Sequence, residues 1–316
     1  MRSQSKKNVS GKQVDKFRRL ARFVIQHHFG SKPARIKYKS AGLSNFVFEA
    51  NHSQEDFIVR ISPDRGSINA FIKEQWCEGV ARRAGIPTAE ILETGLSIIP
   101  FPYTIARSVE GIESTSHPER GKIIRELGRL AAKINSIRTH GFGETFDWSN
   151  NELSRNATFK EYLEGEFGYE ARIETLEKNR MCDASTIRSL KRICRQMMKL
   201  KTPPSLNHGD MRLKNAIADE EGKIVAIIDW DEATSNIAPP WELSIALHDV
   251  GIDEKQLFIE GYGMTPKRLT DIAPFIKAFN LLNYTDSINA AVAAKDKAML
   301  ERMRTRFAGV FDLYSV

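Results

Sequence analysis

The stretch LNHGDMRLKNAIADEEGKIVAIIDWDEA, from Leu206 to Ala233, constrains the chain more than any other part of it. Two apolar runs, NAIAD and KIVAIID, flank the polar turn EEG and predict a β-hairpin. The two ends of such a unit lie side by side, so Asn215 at its start and Asp229 at its far end are expected next to each other. An amide oxygen and a carboxylate are hard donors suited to Mg2+. Asp210 and His208 precede the hairpin in a segment with no helix or strand periodicity of its own. Asp210 is therefore expected beside the metal without binding it.

This arrangement suits phosphoryl transfer, in which a metal neutralises phosphate oxygens and a nearby carboxylate orients an attacking hydroxyl and accepts its proton. Asp210 and Asn215, with four residues between them, have the spacing of a protein-kinase catalytic loop, and Asp229 takes the place of its second, metal-holding Asp. Polar loop residues often do no more than cap turns. Four of them in this order, followed by an aliphatic strand and Asp-Trp, point to a site instead.

The window sits within a chain of two textures. Val14, Phe17, Leu20, Ala21, Val24 and Ile25 recur at helical spacing and Gly30 stops them, which predicts an amphipathic first helix. The short runs ARIKYKS, NFVFEA and DFIVRIS alternate like strands around AGLS and the turn NHSQE. A helix is expected from about Ile68 to Ala84, ending near Gly85 and Pro87, and AEILET and PYTIARSV read as two more strands. Beyond Gly111 the pattern turns helical: Ile123, Ile124, Leu127, Leu130, Ala131 and Ile134 share one face. Two polar helical stretches are expected between Asn156 and Leu200, and helices from Pro240 to the end, with Thr265 and Pro266 as a cap and first turn. The expected fold is α+β with two lobes. Residues 1–108 form the first helix and a small antiparallel-sheet lobe with one inserted helix; residues 109–316 form a larger, mainly helical lobe that carries the window.

At 316 residues with 41% hydrophobic content, the chain has ample material for such a pair of cores. Its net charge of +7 invites a nucleic-acid partner, but the excess is local. Through Lys37 there are eleven Lys or Arg against Asp15 alone, a segment of +10 that leaves −3 for everything after it. With no basic groove interleaved with aromatics, nucleic acid is disfavoured. Cys77, Cys182 and Cys194 are widely spaced and show no metal-ligand pattern, which fits a reducing compartment. No apolar run is long enough to span a bilayer, and the basic N-terminus has no apolar segment behind it, so a cytoplasmic protein with no membrane partner is expected.

NHGDMRLKN and AIIDWDEA together resemble the aminoglycoside phosphotransferase and choline-kinase-like family, relatives of protein kinases. The likeness extends to EQWCEGVARRAGIPTAEIL, similar to that family's Glu-led helix running into Gly-x-Pro, to PYTIARSVEG as its hinge, and to RELGRLAAKINSI as the helix that follows. It covers about Lys39 to Leu247 and implies a bilobal, protein-kinase-like fold. It also implies roles. Asp210 would be the catalytic base, His208 would brace its loop, and Asn215 and Asp229 would hold Mg2+ between the phosphates of ATP or GTP. Arg60 stands where the family has a phosphate-contacting Lys or Arg, and Glu74 lies at the position of its helix partner, although Glu78 is one turn away. Arg is not a neutral swap for Lys, because its planar fork contacts phosphate bidentately.

Other elements depart from the family pattern. The phosphate-covering loop has only Gly42, with Ser44 and Asn45 as donors to phosphate. Ala106, Arg107 and Ser108 would offer backbone groups to adenine. Glu242 stands where relatives carry an Asp, which puts the local bracing in question. The acceptor, a small molecule with a hydroxyl, is left open among aminoglycosides, choline-like compounds and sugars. Acids from Glu161 to Glu174, with Asp231 and Glu232, could attract a cation or simply be solvated. Tyr162, Phe167, Tyr169 and Trp241 could stack on a ligand or fill a core. A nucleotide-binding pseudokinase or regulatory protein is the alternative reading. Protein kinase activity is not expected, because no Asp-Phe-Gly followed by Ala-Pro-Glu is present. The sequence does not specify an oligomeric state.

Overall fold

The computed structural model describes residues 10–39, 45–143, 146–147, 152–153, 156–248 and 250–312. In chain order these form α1 (Gly11–Phe29), β1 (Arg35–Lys39), β2 (Phe46–His52), β3 (Glu55–Ile61), α2 (Ile68–Arg83), β4 (Ile91–Gly95), β5 (Tyr103–Arg107), β6 (Ile112–Glu113) and α3 (Arg120–Asn135). They continue with β7 (Phe146–Asp147), β8 (Glu152–Leu153), α4 (Phe159–Glu164), α5 (Tyr169–Lys178), α6 (Ala184–Met197), β9 (Ser205–Asn207), β10 (Ala216–Ala218), β11 (Ile224–Ile227) and β12 (Thr234–Asn236). The last helices are α7 (Pro240–Ala246), α8 (Ile252–Tyr262), α9 (Pro266–Asn283), α10 (Thr285–Ala293) and α11 (Lys297–Asp312).

The chain divides into two compact units. One holds residues 4–123 and 213–233, the other residues 124–212 and 234–316. This differs from the expected division at 108. Its position in sequence groups the hairpin with the helices, but β10 pairs with β6, and β11 donates from Ile227 N–H to the Pro87 carbonyl at 2.8 Å. Its turn is tied down as well, by the Ser114 hydroxyl donating to Ala216 O at 2.8 Å and by the His117 ring, which bonds to Asp219 O at 2.9 Å. Those partners lie in the strand-rich unit.

In that unit, five antiparallel strands run in the order β1-β2-β3-β5-β4. Strand β2 shows strict alternation of buried and half-buried positions, as a sheet with one covered face requires. The cover is α1. Ser10 caps it, with Gln13 completing a capping box, and Gly30 ends it at φ 74°, a left-handed conformation that glycine adopts without strain. Phe17, Ala21, Val24 and Ile25 are its buried face, in one cluster with Phe46, Phe48, Val59 and Ile105. Phe17 stacks on Phe46 with ring centroids 3.9 Å apart, and truncating it to Ala would cost about 3–5 kcal/mol.

The helical unit is built around Trp241, whose ring meets Phe279, Phe167 and Tyr162 edge-on at 5.1, 5.7 and 6.3 Å. Helices α4, α5 and α6 occupy the region between residues 156 and 200 where two were expected, because Gly165 and Gly168 interrupt the first polar stretch. Helices α3 and α8 touch through glycines: a Cβ on Gly128 would lie 2.0 Å from Phe258 O, and one on Gly261 would lie 1.9 Å from Arg125 O. Thr265 caps α9 with Pro266 at its first turn, as expected. Among the described residues, no helix is long and apolar enough to cross a membrane.

Candidate active site

Within the helical unit, β9 and β12 pair with Asn207 opposite Thr234, so the loop that starts at His208 leaves β9 beside the start of β12. The clamp is fixed by amides. Asn135 Nδ2 donates to Leu206 O at 3.0 Å, and Asn207 Nδ2 donates to Ser205 O at 3.0 Å and Asn236 O at 3.3 Å. Tyr262 OH holds Asn135 in place through its Oδ1 at 2.7 Å.

From this clamp His208 projects into a fully buried site. Its backbone N–H donates to Glu242 Oε2 at 2.6 Å, and its ring Nδ1 accepts the Asp210 N–H at 3.3 Å. The loop is thus braced both through its backbone and through the His208 ring. Glu242, whose place in the pattern suggested weakened bracing, supplies the backbone contact. It is also completely buried, and its Oε1 has no hydrogen-bond partner. Burial pushes its carboxyl up to about 7, against the opposing hydrogen bonds of His208 N–H, Asn135 and Gly209 N–H, with the Asp210 charge adding to the rise.

Asp210 is 5% exposed. Its Oδ1 accepts a hydrogen bond from Arg212 Nε, and its carbonyl accepts the Arg212 N–H at 2.8 Å. Arg212 was missed in the sequence, where it reads as one more polar loop residue. Only its place two residues after Asp210 could have drawn notice.

The strand-rich unit holds the other group. Ala216 pairs with Ile227, and Ile228 N–H donates to Asn215 O at 3.0 Å, so Asn215 and Asp229 flank the mouth of the hairpin as its register requires. Asn215 is 4% exposed and Asp229 half-buried. Asp229 has φ 68°, the left-handed region that Asp tolerates better than most residues but still at a cost. That turn ends β11 and takes the chain out of the strand at the carboxylate.

Arg60 lies in β3 between Val47 and Thr104 of the neighbouring strands. Its guanidinium pairs with Glu74 of α2, donates to Thr104 Oγ1 at 3.4 Å, and lies 5.2 Å from the centre of the Phe71 ring. Glu78, the other possible partner, instead accepts the Ile91 N–H at 2.9 Å. Burial alone would lower the Arg60 pKa, but the Glu74 carboxylate outweighs it and raises the value, and the charges of Asp229 and Asp231 raise it further. Asn215, Asp229, Arg60 and Glu74 thus share one unit, with Arg60 in electrostatic reach of Asp229. The Asp231 carboxyl is pushed up to about 8 by loss of surrounding water and by the charges of Asp229, Glu74 and Glu232. Asp231 keeps an exposed surface, so the repulsion among these acids is the firmer of those causes.

Asn45 is half-buried at the bend before β2, and Gly42 and Ser44 lie outside the described residues. At the hinge, Arg107 N–H donates to Glu90 O and Ser108 N–H to Asp56 O, each at 2.8 Å, so these two donors serve the sheet. The Arg107 side chain is also engaged, by Glu55 and Glu90. The Ala106 backbone lies between Ile58 and Ile91 of the adjoining strands.

Tyr162, Phe167 and Trp241 are core residues, and Tyr169 is also buried, its hydroxyl donating to Glu170 at 3.0 Å. Glu161 completes the capping box of α4, and Glu174 pairs with Lys178 at 2.7 Å. An open groove of about 710 Å³ in the helical unit is bordered by Glu164, Glu170, Glu174, Glu177, Lys191 and Arg195.

Among the described residues, no group of three or more His, Cys, Asp and Glu is arranged to hold a metal. The candidate pair, one buried amide and one carboxylate, fits a cation that keeps several waters and takes its remaining ligands from phosphate, as Mg2+ does.

The profile of the phosphotransferase enzyme family, APH, matches residues 36–271. No curated protein matches the sequence. Among solved structures, a thermostable mutant of aminoglycoside phosphotransferase APH(4)-Ia, in ternary complex with ADP and hygromycin B, is 16% identical with a TM-score of 0.69, over 93% of this chain and 99% of that one. The GDP and kanamycin complex of another such enzyme, of the APH(2'') type, is 13% identical with a TM-score of 0.60, over 92% and 97%. A putative fructosamine-3-kinase from Haemophilus somnus is 12% identical with a TM-score of 0.62, over 92% and 96%. At these identities the likeness is one of fold.

Proposed function

This chain belongs to the phosphotransferase enzyme family, and on that premise we propose that it transfers the γ-phosphate of ATP to a hydroxyl of a small molecule. The observation that carries the reading is the hairpin mouth: Asn215 and Asp229 flank it in the unit that also holds the Arg60–Glu74 ion pair, and the Asp229 charge acts on Arg60. Amide, carboxylate and guanidinium are the groups that a metal-bound triphosphate needs.

Asn215 and Asp229 would hold Mg2+, which when bound supplies positive charge against the phosphate oxygens. Arg60, fixed by Glu74, contacts the phosphates through the in-plane N–H groups of its fork. Asn45 contributes a donor from the preceding loop, in the stretch that also holds Gly42 and Ser44. In the helical unit, Asp210 accepts the proton of the acceptor hydroxyl, and His208 and Glu242 keep its loop from drifting. Positioning of this kind supplies most of the rate in phosphoryl transfer.

Complexes of the structural neighbours with ADP and with GDP support a purine nucleotide as donor and leave the choice of ATP or GTP to measurement. Their complexes with hygromycin B and kanamycin support an acceptor with several hydroxyls. The exposed acid Glu232 and the mostly acidic groove beside α5 favour one that is also cationic. A phosphotransfer screen with ATP and GTP over aminoglycosides, amino sugars, choline and neutral sugars tests this. Transfer to at least one cationic polyol is expected. Mg2+-dependent nucleotide binding with no transfer and no hydrolysis would instead favour the pseudokinase reading that Arg60 in place of Lys suggests.

A further inference from the structure

We propose that the outward face of α1 is a docking surface for a membrane bearing anionic headgroups, to which the chain adsorbs through Lys12, Arg19, Arg22 and the ring of Phe23. The surface is independent of the phosphotransfer reading. It rests on the charge which that reading leaves unused: eleven Lys or Arg against Asp15 alone through Lys37, with −3 over the rest of the chain. Helix α1 is sharply two-sided. Phe17, Ala21, Val24 and Ile25 are buried and hold it against the sheet, whereas Lys12, Arg19, Arg22 and Phe23 are exposed. At about 100° per residue these four fall within an arc of about 100° around the axis, opposite the buried side.

No carboxylate among the described residues pairs with Lys12, Arg19 or Arg22. Asp15, the one acid in the arc, is answered by Arg18, and Lys16 at its margin lies over the Phe101 ring at 5.1 Å and keeps its charge. Arg2, Lys6 and Lys7 precede the helix in sequence, with no acid before Asp15. Among these cations Phe23 is left 49% exposed.

Shape and charge together select the occupant. The flank of a helix is convex, so cations standing out along a rod about 28 Å long meet a plane of headgroups together. A nucleic-acid chain is tracked by a groove with successive aromatics on which bases stack, and this face has one exposed ring. One aromatic beside Lys and Arg suits a bilayer interface, where the ring sits at headgroup level and each basic side chain near anionic lipid strengthens partitioning about fivefold. The −3 remainder is repelled by the same surface, which turns α1 toward the lipid. Because the apolar side of α1 is spent on the core, the helix adsorbs without inserting, and its attachment is electrostatic and sensitive to salt.

The test is co-sedimentation of the full chain with vesicles of phosphatidylcholine alone and of phosphatidylcholine with about one-third phosphatidylglycerol, at about 0.05 M and about 0.5 M salt. Binding is expected to the anionic vesicles only, and weaker by about tenfold or more at the higher salt. Arg19→Glu with Arg22→Glu should weaken it by about 25-fold or more, and Phe23→Ala by about threefold or more with the salt dependence unchanged, at thermal midpoints close to wild type. Arg19→Gln with Arg22→Gln decides the point should the charge-reversed pair fail to fold. Absence of binding to the anionic vesicles, equal binding to the neutral ones, or a paired variant within about twofold of wild type overturns the docking surface. Binding to a single-stranded polynucleotide or to polyglutamate at least as tight as to the anionic vesicles, at the same salt, assigns the face to a polyanionic chain and overturns it as well.

Discussion

The backbone N–H of His208 donates to Glu242 Oε2 at 2.6 Å in a site where both residues are fully buried. The bond couples the loop that carries Asp210 to the first turn of α7, and the acid is held without a partner for its second oxygen. Its carboxyl, at about 7, stands well above the usual 4.5.

Stability should therefore depend on pH through Glu242. Because the folded value is raised, the contribution is fully present below about pH 4.5 and is lost as pH rises through about 7, by at most about 3 kcal/mol. The neighbouring charges are those of Asp210 and, more weakly, the Tyr262 hydroxyl, whose own pKa is raised by burial and by Glu242. Glu242→Gln removes the ionisation. Its thermal midpoint relative to wild type should climb between pH 5 and pH 8; parallel curves would show that Glu242 does not titrate there.

The Arg60–Glu74 pair makes a second prediction. Glu74 is 3% exposed, and Arg60→Ala would leave its charge buried and unpaired at a cost of about 3–5 kcal/mol. The double variant Arg60→Ala, Glu74→Ala should recover part of that stability but not the affinity for Mg·ADP measured by calorimetry. Affinity that returns along with stability would remove Arg60 from the phosphate site.

Asp229 has two separable roles. Asp229→Ala should make nucleotide affinity insensitive to Mg2+ and to chelator. Asp229→Gly should do the same and yet melt higher than Asp229→Ala, since relief at φ 68° is worth about 1 kcal/mol. Equal melting points would mean that the turn relaxes at little cost.

The contact between α3 and α8 should tolerate no side chain. Gly261→Ala brings a methyl to 1.9 Å from Arg125 O, so the helices must separate, at about 1–3 kcal/mol by denaturant unfolding. An unchanged midpoint would show that the contact yields freely.

Elements whose pattern is set by burial on one face were legible in the sequence. The period of Val14, Phe17, Ala21 and Val24 gave α1 to within a few residues, with Gly30 as its end, and alternation gave the five strands. The hairpin, with Asn215 and Asp229 at its two ends, followed from the turn between two apolar runs. What escaped was set by partners distant in sequence. Strand β6, only Ile112 and Glu113, shows no period, yet its pairing with β10 assigns the hairpin to the strand-rich unit. Strands β9 and β12, three residues each, were invisible for the same reason, although they frame the Asp210 loop. The donors of Arg107 and Ser108 are spent on Glu90 and Asp56, which no local pattern reveals. Arg212 looked incidental, because a side chain bonded to a loop gives no periodic signal, and Glu242 stood out only as a departure from the family pattern, not as the brace it is.

The most direct test of the proposed chemistry is the initial rate of phosphoryl transfer from Mg·ATP by Asp210→Asn beside wild type, with ADP affinity measured on both. A fall in kcat of about 10²–10⁴-fold or more at unchanged ADP affinity is expected for loss of a general base. Transfer at the wild-type rate would show that Asp210 takes no proton and would contradict the assignment.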